Sequence, residues 1–221
     1  ISTTHTKRLK VGRSWRIRRQ ALADFLRGGE RPVTLTGRLR AFLEVPDSVI
    51  GVAQTPELLH RLDAAFFRVG EASGALLVKF HGGEPQVPGD ELLAELERNG
   101  LEASRLEEEG RLRLSAERGP TEERNEALEK LLEEELDPGQ AIWVSFNWAE
   151  NIKLEAVLRQ QNALRKFVND KRLVVKTAVM EEVLGDWPLD IRREAQETHS
   201  GMVWLSNAGL ALSRITPLPS E

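Results

Sequence analysis

The chain contains no cysteine, which excludes disulfides, thiolate catalysis and cysteine-based zinc sites. No apolar run approaches the eighteen or so residues needed to span a bilayer, and Ile1 onward lacks the layout of a signal peptide. A cytoplasmic protein is expected. The four histidines, His5, His60, His81 and His199, are scattered without metal-ligand spacing, so no metal site is expected. His60 falls within a helical pattern as a packing or surface residue. Ser145, Ser206 and Ser213 show no Gly-x-Ser-x-Gly elbow.

Negative charge is abundant overall but nearly missing from the first forty residues. The net charge is −4, which taken alone argues against a polyanion partner. Residues 1–40 nevertheless carry eleven Lys/Arg against only Asp24 and Glu30, a local +9 that leaves the remainder at −13. A basic head on an acidic body is the footprint of a polyanion-binding module attached to something that does not bind polyanions. Glu107 to Glu109 and Glu133 to Glu135 read as solvated faces and not as carboxylate dyads.

The head centres on Arg8 to Arg27. Leu9, Val11, Trp15 and Ile17 alternate with basic residues across Gly12-Arg13-Ser14, the pattern of a small hairpin. The period then lengthens, placing Ala21, Leu22, Phe25 and Leu26 on one side of a short helix. Paired glycines at Gly28-Gly29 and then Pro32 end that module. Residues 1–28 are thus read as the head, 29–46 as a linker, 47–216 as an α/β domain and 217–221 as a tail.

Thr55-Pro56-Glu57 is a helix start, with Thr as N-cap, Pro at the first helical position and a carboxylate in the first turn. Leu58, Leu59, Leu62, Ala65, Phe66 and Val69 follow at helical spacing up to an expected stop at Gly70. Ala75 to Phe80, Ala141 to Phe146 and Leu173 to Val179 are nearly continuous apolar runs, as in strands covered on both faces. Leu101 to Leu106 and Arg111 to Ala116 read as two further strands, and helices are expected over 121–136, 149–168 and 189–198. Met202 to Ser206 and Leu210 to Ile215 close the chain as an antiparallel hairpin. Alternation of strands and helices predicts an α/β fold: a RecA-like, mainly parallel sheet with helices on both faces and an antiparallel edge.

A phosphate loop needs Gly-x-x-x-x-Gly-Lys-Ser/Thr, because backbone amides cradle phosphates, the lysine neutralises them and the hydroxyl holds magnesium. His81 to Asp90, between a strand and a helix, lacks both lysine and hydroxyl. The following apolar strand ends in Asn147, where a magnesium-binding acid is required. No cofactor and no enzymatic turnover are therefore expected. His81, Gly82 and Gly83 instead meet Asn147 and Trp148 beyond the strand ends, where open α/β sheets bind ligands, with Lys176 as a third wall of one crevice. Trp148 offers a stacking face and Asn147 a hydrogen-bonding edge. Trp143 and Trp204 are core candidates, and Trp187-Pro188 a lid or helix start.

Lys10-Val11-Gly12-Arg13-Ser14-Trp15-Arg16-Ile17, followed by Arg18 and a helix, resembles the end of excisionase and MerR-like winged-helix DNA-binding domains. That family places a helix-turn-helix before its wing. Ile1 to Lys7 is too short for one, so residues are expected to be missing between Lys7 and Arg8. The resemblance implies binding of double-stranded DNA, with Lys10, Arg13, Trp15, Arg16, Arg18 and Arg19 on the duplex, and a homodimer. The second module resembles the MEDS sensory domain, a degenerate relative of the KaiC/RecA fold, in GALLVKF, the Glu102 to Ala116 segment, AIWVSFNW and MVWLSNAGLALSRI. That resemblance implies sensing of a small molecule. The resulting expectation is a one-component transcriptional regulator. A variant of it takes as effector a cyclic dinucleotide gripped by Arg13, Arg16, Arg18 and Arg19 around Trp15. The competing expectations are a KaiC/RecA-type nucleotide-binding ATPase and a scaffold with acidic partner-binding helices.

Overall fold

The computed structural model describes residues 34–81, 88–116, 139–147 and 172–215, a few positions between 126 and 133, and the backbone alone of 9–11 and 14–16. The helices expected at 18–27, most of 121–136 and 149–168, and the tail, lie outside the described residues. So does the Lys7 to Arg8 junction.

Near the start, β1 (Leu9–Val11) pairs antiparallel with β2 (Ser14–Arg16), Leu9 opposite Arg16 and Val11 opposite Ser14. This is the hairpin ladder that the alternation predicted.

The segment expected to be a linker holds a helix instead, α1 (Leu35–Phe42), whose N-cap Thr34 accepts a hydrogen bond from the Gly37 amide at 3.1 Å. Leu39 is buried, which the Pro-rich flanks and two arginines had concealed. Next come β3 (Asp47–Ala53), α2 (Pro56–Ala72) and β4 (Leu76–His81). Thr55 caps α2 as predicted, its side chain accepting from the Leu58 amide at 3.3 Å. The helix, however, runs through Gly70 instead of stopping there. A Cβ at Gly70 would lie 2.7 Å from the Trp143 ring, so this glycine is a close-packing position. The left-handed residue that ends the turn is Gly74, at φ 74°, where the missing Cβ removes the steric cost.

Then follow α3 (Gly89–Arg98), α4 (Ala103–Glu108) and β5 (Leu112–Ala116). The strand expected over 101–106 is helical in its second half. Ala103 and Leu106 are its buried residues, three apart, and Arg105 bonds Glu102 and Glu109 on either side, at 2.6 and 2.8 Å. Such i,i+3 and i,i+4 pairs exist only on a helix surface. After β6 (Ile142–Asn147) and β7 (Leu173–Met180) come α5 (Glu181–Asp186), α6 (Leu189–Glu197), β8 (Gly201–Ser206) and β9 (Gly209–Arg214).

The main sheet has seven strands in the order β5-β4-β6-β7-β3-β8-β9. All pairings are parallel except β8 with β9, so the antiparallel edge is where the closing hairpin was expected. Both faces of the inner strands are covered. Leu77, Trp143, Val174 and Val49 join α1 to α4 in one core, while Leu76, Val78, Ile142 and Val144 look the other way, and Ile50 and Val52 meet α5 and α6. Two-sided burial is why these strands read as unbroken apolar runs. Trp143 is core as expected; Trp204 is only partly buried, on the thinner α5/α6 face.

The sheet's end is buckled to α1. Arg214 donates to both carboxylate oxygens of buried Asp47, at 2.8 and 2.9 Å, and to the Phe42 carbonyl, and its guanidinium lies 4.2 Å from the centre of the Phe42 ring. Asp47 also accepts from the Glu44 and Ser48 amides at 3.0 Å and from the Ser200 hydroxyl. Arg214→Ala is expected to lower stability by about 1–3 kcal/mol, because a buried carboxylate loses charged donors. Arg214→Lys should recover little of it, since the planar fork is lost. Urea titration, with hydrogen exchange of the 35–42 amides as the local readout, checks both.

Candidate functional site

Three inner strands that are otherwise apolar each carry one polar residue at the same level. Lys79 of β4 is in register with Ser145 of β6, and Ser145 with Lys176 of β7. This row faces α2, which sets Asp63 directly over it. The Lys79 ammonium donates to Asp63 Oδ2 at 2.9 Å and to Ser145 Oγ at 3.1 Å. Ser145 Oγ donates to Asp63 Oδ1 at 2.7 Å, and the Lys176 ammonium donates to the same oxygen. Asn147 Nδ2 reaches Oδ2 at 3.3 Å, and the Lys176 ammonium also lies 5.7 Å from the Phe66 ring centre. Asp63, Lys79, Ser145 and Lys176 are all at most 1% exposed.

Burial pushes the Asp63 carboxyl upward, but the charges of Lys176 and Lys79 and their hydrogen bonds outweigh it and hold its pKa well below the usual carboxylate range. A carboxylate so strongly held in its charged form, without access to solvent, is a poor proton acceptor at neutral pH. The knot therefore acts on structure: it ties α2 across three neighbouring strands, and it fixes the residue at the end of β6.

That residue is Asn147, half-buried at the sheet's C-terminal end, with His81 half-buried at the end of adjacent β4. The structure thus brings two of the expected crevice residues to one end of neighbouring strands. Lys176 departs from the expectation: it is a buried partner of Asp63 and not a crevice wall, because the middle of β7 lies under α2. Gly82, Gly83 and Trp148 lie outside the described residues, as do Arg13, Arg18 and Arg19; for Lys10, Trp15 and Arg16 only the backbone is described. Sequence reasoning missed Asp63, Lys79 and Ser145. Their signal was there: a single polar intrusion in LLVKF, AIWVSF and LVVKTAV, and one carboxylate within the apolar stripe of α2.

Among the described residues the strand–helix junctions carry no phosphate cradle. β3 passes to α2 through Gln54 and Thr55 alone, and β7 runs straight into α5. No Gly-Lys pair occurs anywhere in the sequence. Among the described residues no group of three His, Asp or Glu could hold a metal ion, and no helix is long and apolar enough to cross a membrane.

The chain has a RecA/KaiC-like α/β fold, a mainly parallel sheet with an antiparallel edge pair. An ATPase domain matches it with a TM-score of 0.57 at 9% identity, over 84% of this chain and 81% of that one. A Pyrococcus horikoshii OT3 protein known from a structural study matches with a TM-score of 0.57 at 8% identity, over 83% and 94%. A KaiC-like protein from the same hyperthermophilic archaeon matches with a TM-score of 0.52 at 11% identity, over 77% of each chain. No protein-family model and no curated protein matches the sequence.

Proposed function

We propose that the chain is a one-component transcriptional regulator, in which a basic N-terminal wing binds double-stranded DNA and a non-catalytic RecA/KaiC-like domain senses a small effector and pairs protomers. The observation that carries this reading is the separation of charge from fold. Cations gather in the first forty residues, whereas the P-loop-type sheet behind them lacks the lysine and hydroxyl of a phosphate loop. Such a domain keeps the ligand-binding end of an open α/β sheet without the groups that stabilise phosphoryl transfer. Lys10, Arg13, Arg16, Arg18 and Arg19 would meet phosphates, with Trp15 packing the wing or lying along a sugar. An effector at the β4/β6 end would shift the pairing or orientation of the heads.

The test is duplex binding by the full chain across a salt series. The logarithm of affinity should fall by about 0.9 per phosphate contact for each unit of log salt. Replacing Arg13, Arg16, Arg18 and Arg19 together by alanine should flatten that slope by about 3–4 and cost orders of magnitude in affinity at low salt. A slope near zero in the unaltered chain contradicts the reading. So does steady ATP turnover with magnesium, and a sedimentation profile that is monomeric with and without DNA counts against the paired protomers.

A further inference from the structure

We propose that the β4/β6 end of the sheet takes a neutral, planar ligand through an amide-like hydrogen-bonding edge, of the kind carried by a carboxamide, a lactam or a nucleobase, with Asn147 and His60 as its anchors. This rests on the reading that the effector sits at the C-terminal end of the strands.

The argument starts from Asp63. Its ionised carboxylate only accepts hydrogen bonds, so the Asn147 amide, 3.3 Å away, must turn its Nδ2 toward it. The amide cannot flip without setting two acceptors against each other. Asn147 Oδ1 is therefore forced away from the knot. That oxygen is buried and has no hydrogen-bond partner among the described residues. His60 lies one turn before Asp63 on α2, and its Nδ1 is likewise buried without a hydrogen-bond partner among the described residues. Residues three apart on a helix are surface neighbours, so His60 and Asn147 both adjoin Asp63, one along α2 and the other through its hydrogen bond. α2 starts where β3 ends, which puts His60 nearer the strand ends than Asp63 is. Asn147 is the last residue of β6.

Buried polar atoms in native proteins are nearly always paired, and one left without a partner at an open strand end, unlike one sealed in the core, has a water or a ligand within reach. Two at the ligand-binding end of an open sheet mark a site. Its character follows from the groups present. Lys79 and Lys176 are spent on Asp63. Glu57, one turn before His60, adds negative charge on the same helix and interacts with the imidazole. A phosphate finds both ammonium groups buried and already bonded to Asp63, with the Glu57 carboxylate on the same helix beside the imidazole. A neutral N–H, by contrast, satisfies Asn147 Oδ1. An adjacent carbonyl or ring nitrogen satisfies His60 Nδ1 in its protonated tautomer.

The experiment titrates the full chain with nicotinamide, uracil and adenine at millimolar concentration, with inorganic phosphate as control, and follows the Asn147 side-chain amide and the His60 ring by NMR. A saturable shift of both with at least one of the three, and none with phosphate, is the expected result. Asn147→Leu should weaken that binding about tenfold or more, the equivalent of one good hydrogen bond. His60→Phe, which leaves the Asp63 knot untouched, should weaken it several-fold and serves as the second variant if Asn147→Leu does not fold. Three outcomes overturn the proposal: no shift with any of the probes, a shift with phosphate alone, or binding that both variants leave unchanged. In the last two the strand-end or another effector site survives and only the amide-edge chemistry falls. If in addition no small molecule alters DNA affinity, the sensing role falls with it.

Discussion

Asp63→Ala will cost the fold about 3–5 kcal/mol, the usual penalty for removing one partner of a buried ion pair. Two ammonium groups at most 1% exposed are then left sealed beneath α2 without the carboxylate that balances their charge. The lysines must lose protons or admit water, and either route loosens α2 from β4, β6 and β7. A loss of that size consumes much of the stability of an ordinary domain, so the variant should melt far below the parent or be recovered unfolded. A control separates charge from shape. Replacing Asp63, Lys79 and Lys176 together with leucine and methionines should come within about 1–2 kcal/mol of the parent or exceed it, because the desolvation of all three charges is relieved at once. If the triple variant is as damaged as Asp63→Ala, the knot's electrostatics are not what matters there.

The same residue sets an acid limit. Its carboxyl is held below its ordinary value in the folded chain, so its contribution is complete above the unfolded carboxylate pKa of about 4 and is lost as pH falls from there toward the lower folded value. Urea midpoints should be flat between neutral pH and about pH 5 and drop below that. Part of the drop should vanish in the triple variant.

The second large effect is expected at Trp143. Its indole is 2% exposed, lies 4.7 Å from the Phe66 ring and closes over Gly70. Trp143→Ala should cost about 3–5 kcal/mol, through lost burial and the cavity left between α2 and β6. Trp143→Phe should cost far less, under about 1.5 kcal/mol. The indole Nε1 has no hydrogen-bond partner among the described residues, so phenylalanine gives up volume but also removes a buried donor whose desolvation is uncompensated. Thermal and urea melts of the two variants give the comparison; equal losses would mean that the nitrogen is satisfied in solution. Gly70→Ala should be damaging as well, since its new methyl points into the ring.

The strand order could not be read from the chain, but the strands themselves could. A strand buried on both faces has no polar side to mark its period, so GALLVKF, AIWVSF and LVVKTAV announce themselves by length and flanking glycine. Short amphipathic pieces were harder. Leu101 to Leu106 holds too few residues to distinguish a period of 2 from 3.6, and its glutamates gain helical partners only in three dimensions. α1 was hidden for the opposite reason: its neighbours Pro32 and Pro46 look like punctuation, whereas its one buried anchor, Leu39, gives no pattern. At the candidate site, Asn147 and His81 followed from their places after apolar runs. Lys176 was misjudged because a lone lysine in a strand usually snorkels to the surface, and its partner Asp63 lies 113 positions away.

Arg214 gives the molecule a fixed shoulder. Because one guanidinium holds Phe42, Asp47 and the last strand at once, residue 34 is seated on the sheet and not hung from a slack tether. The start of the sheet's first parallel strand, its last antiparallel strand and the end of α1 therefore share one guanidinium, so that none of the three can be repositioned without breaking a bond to the other two.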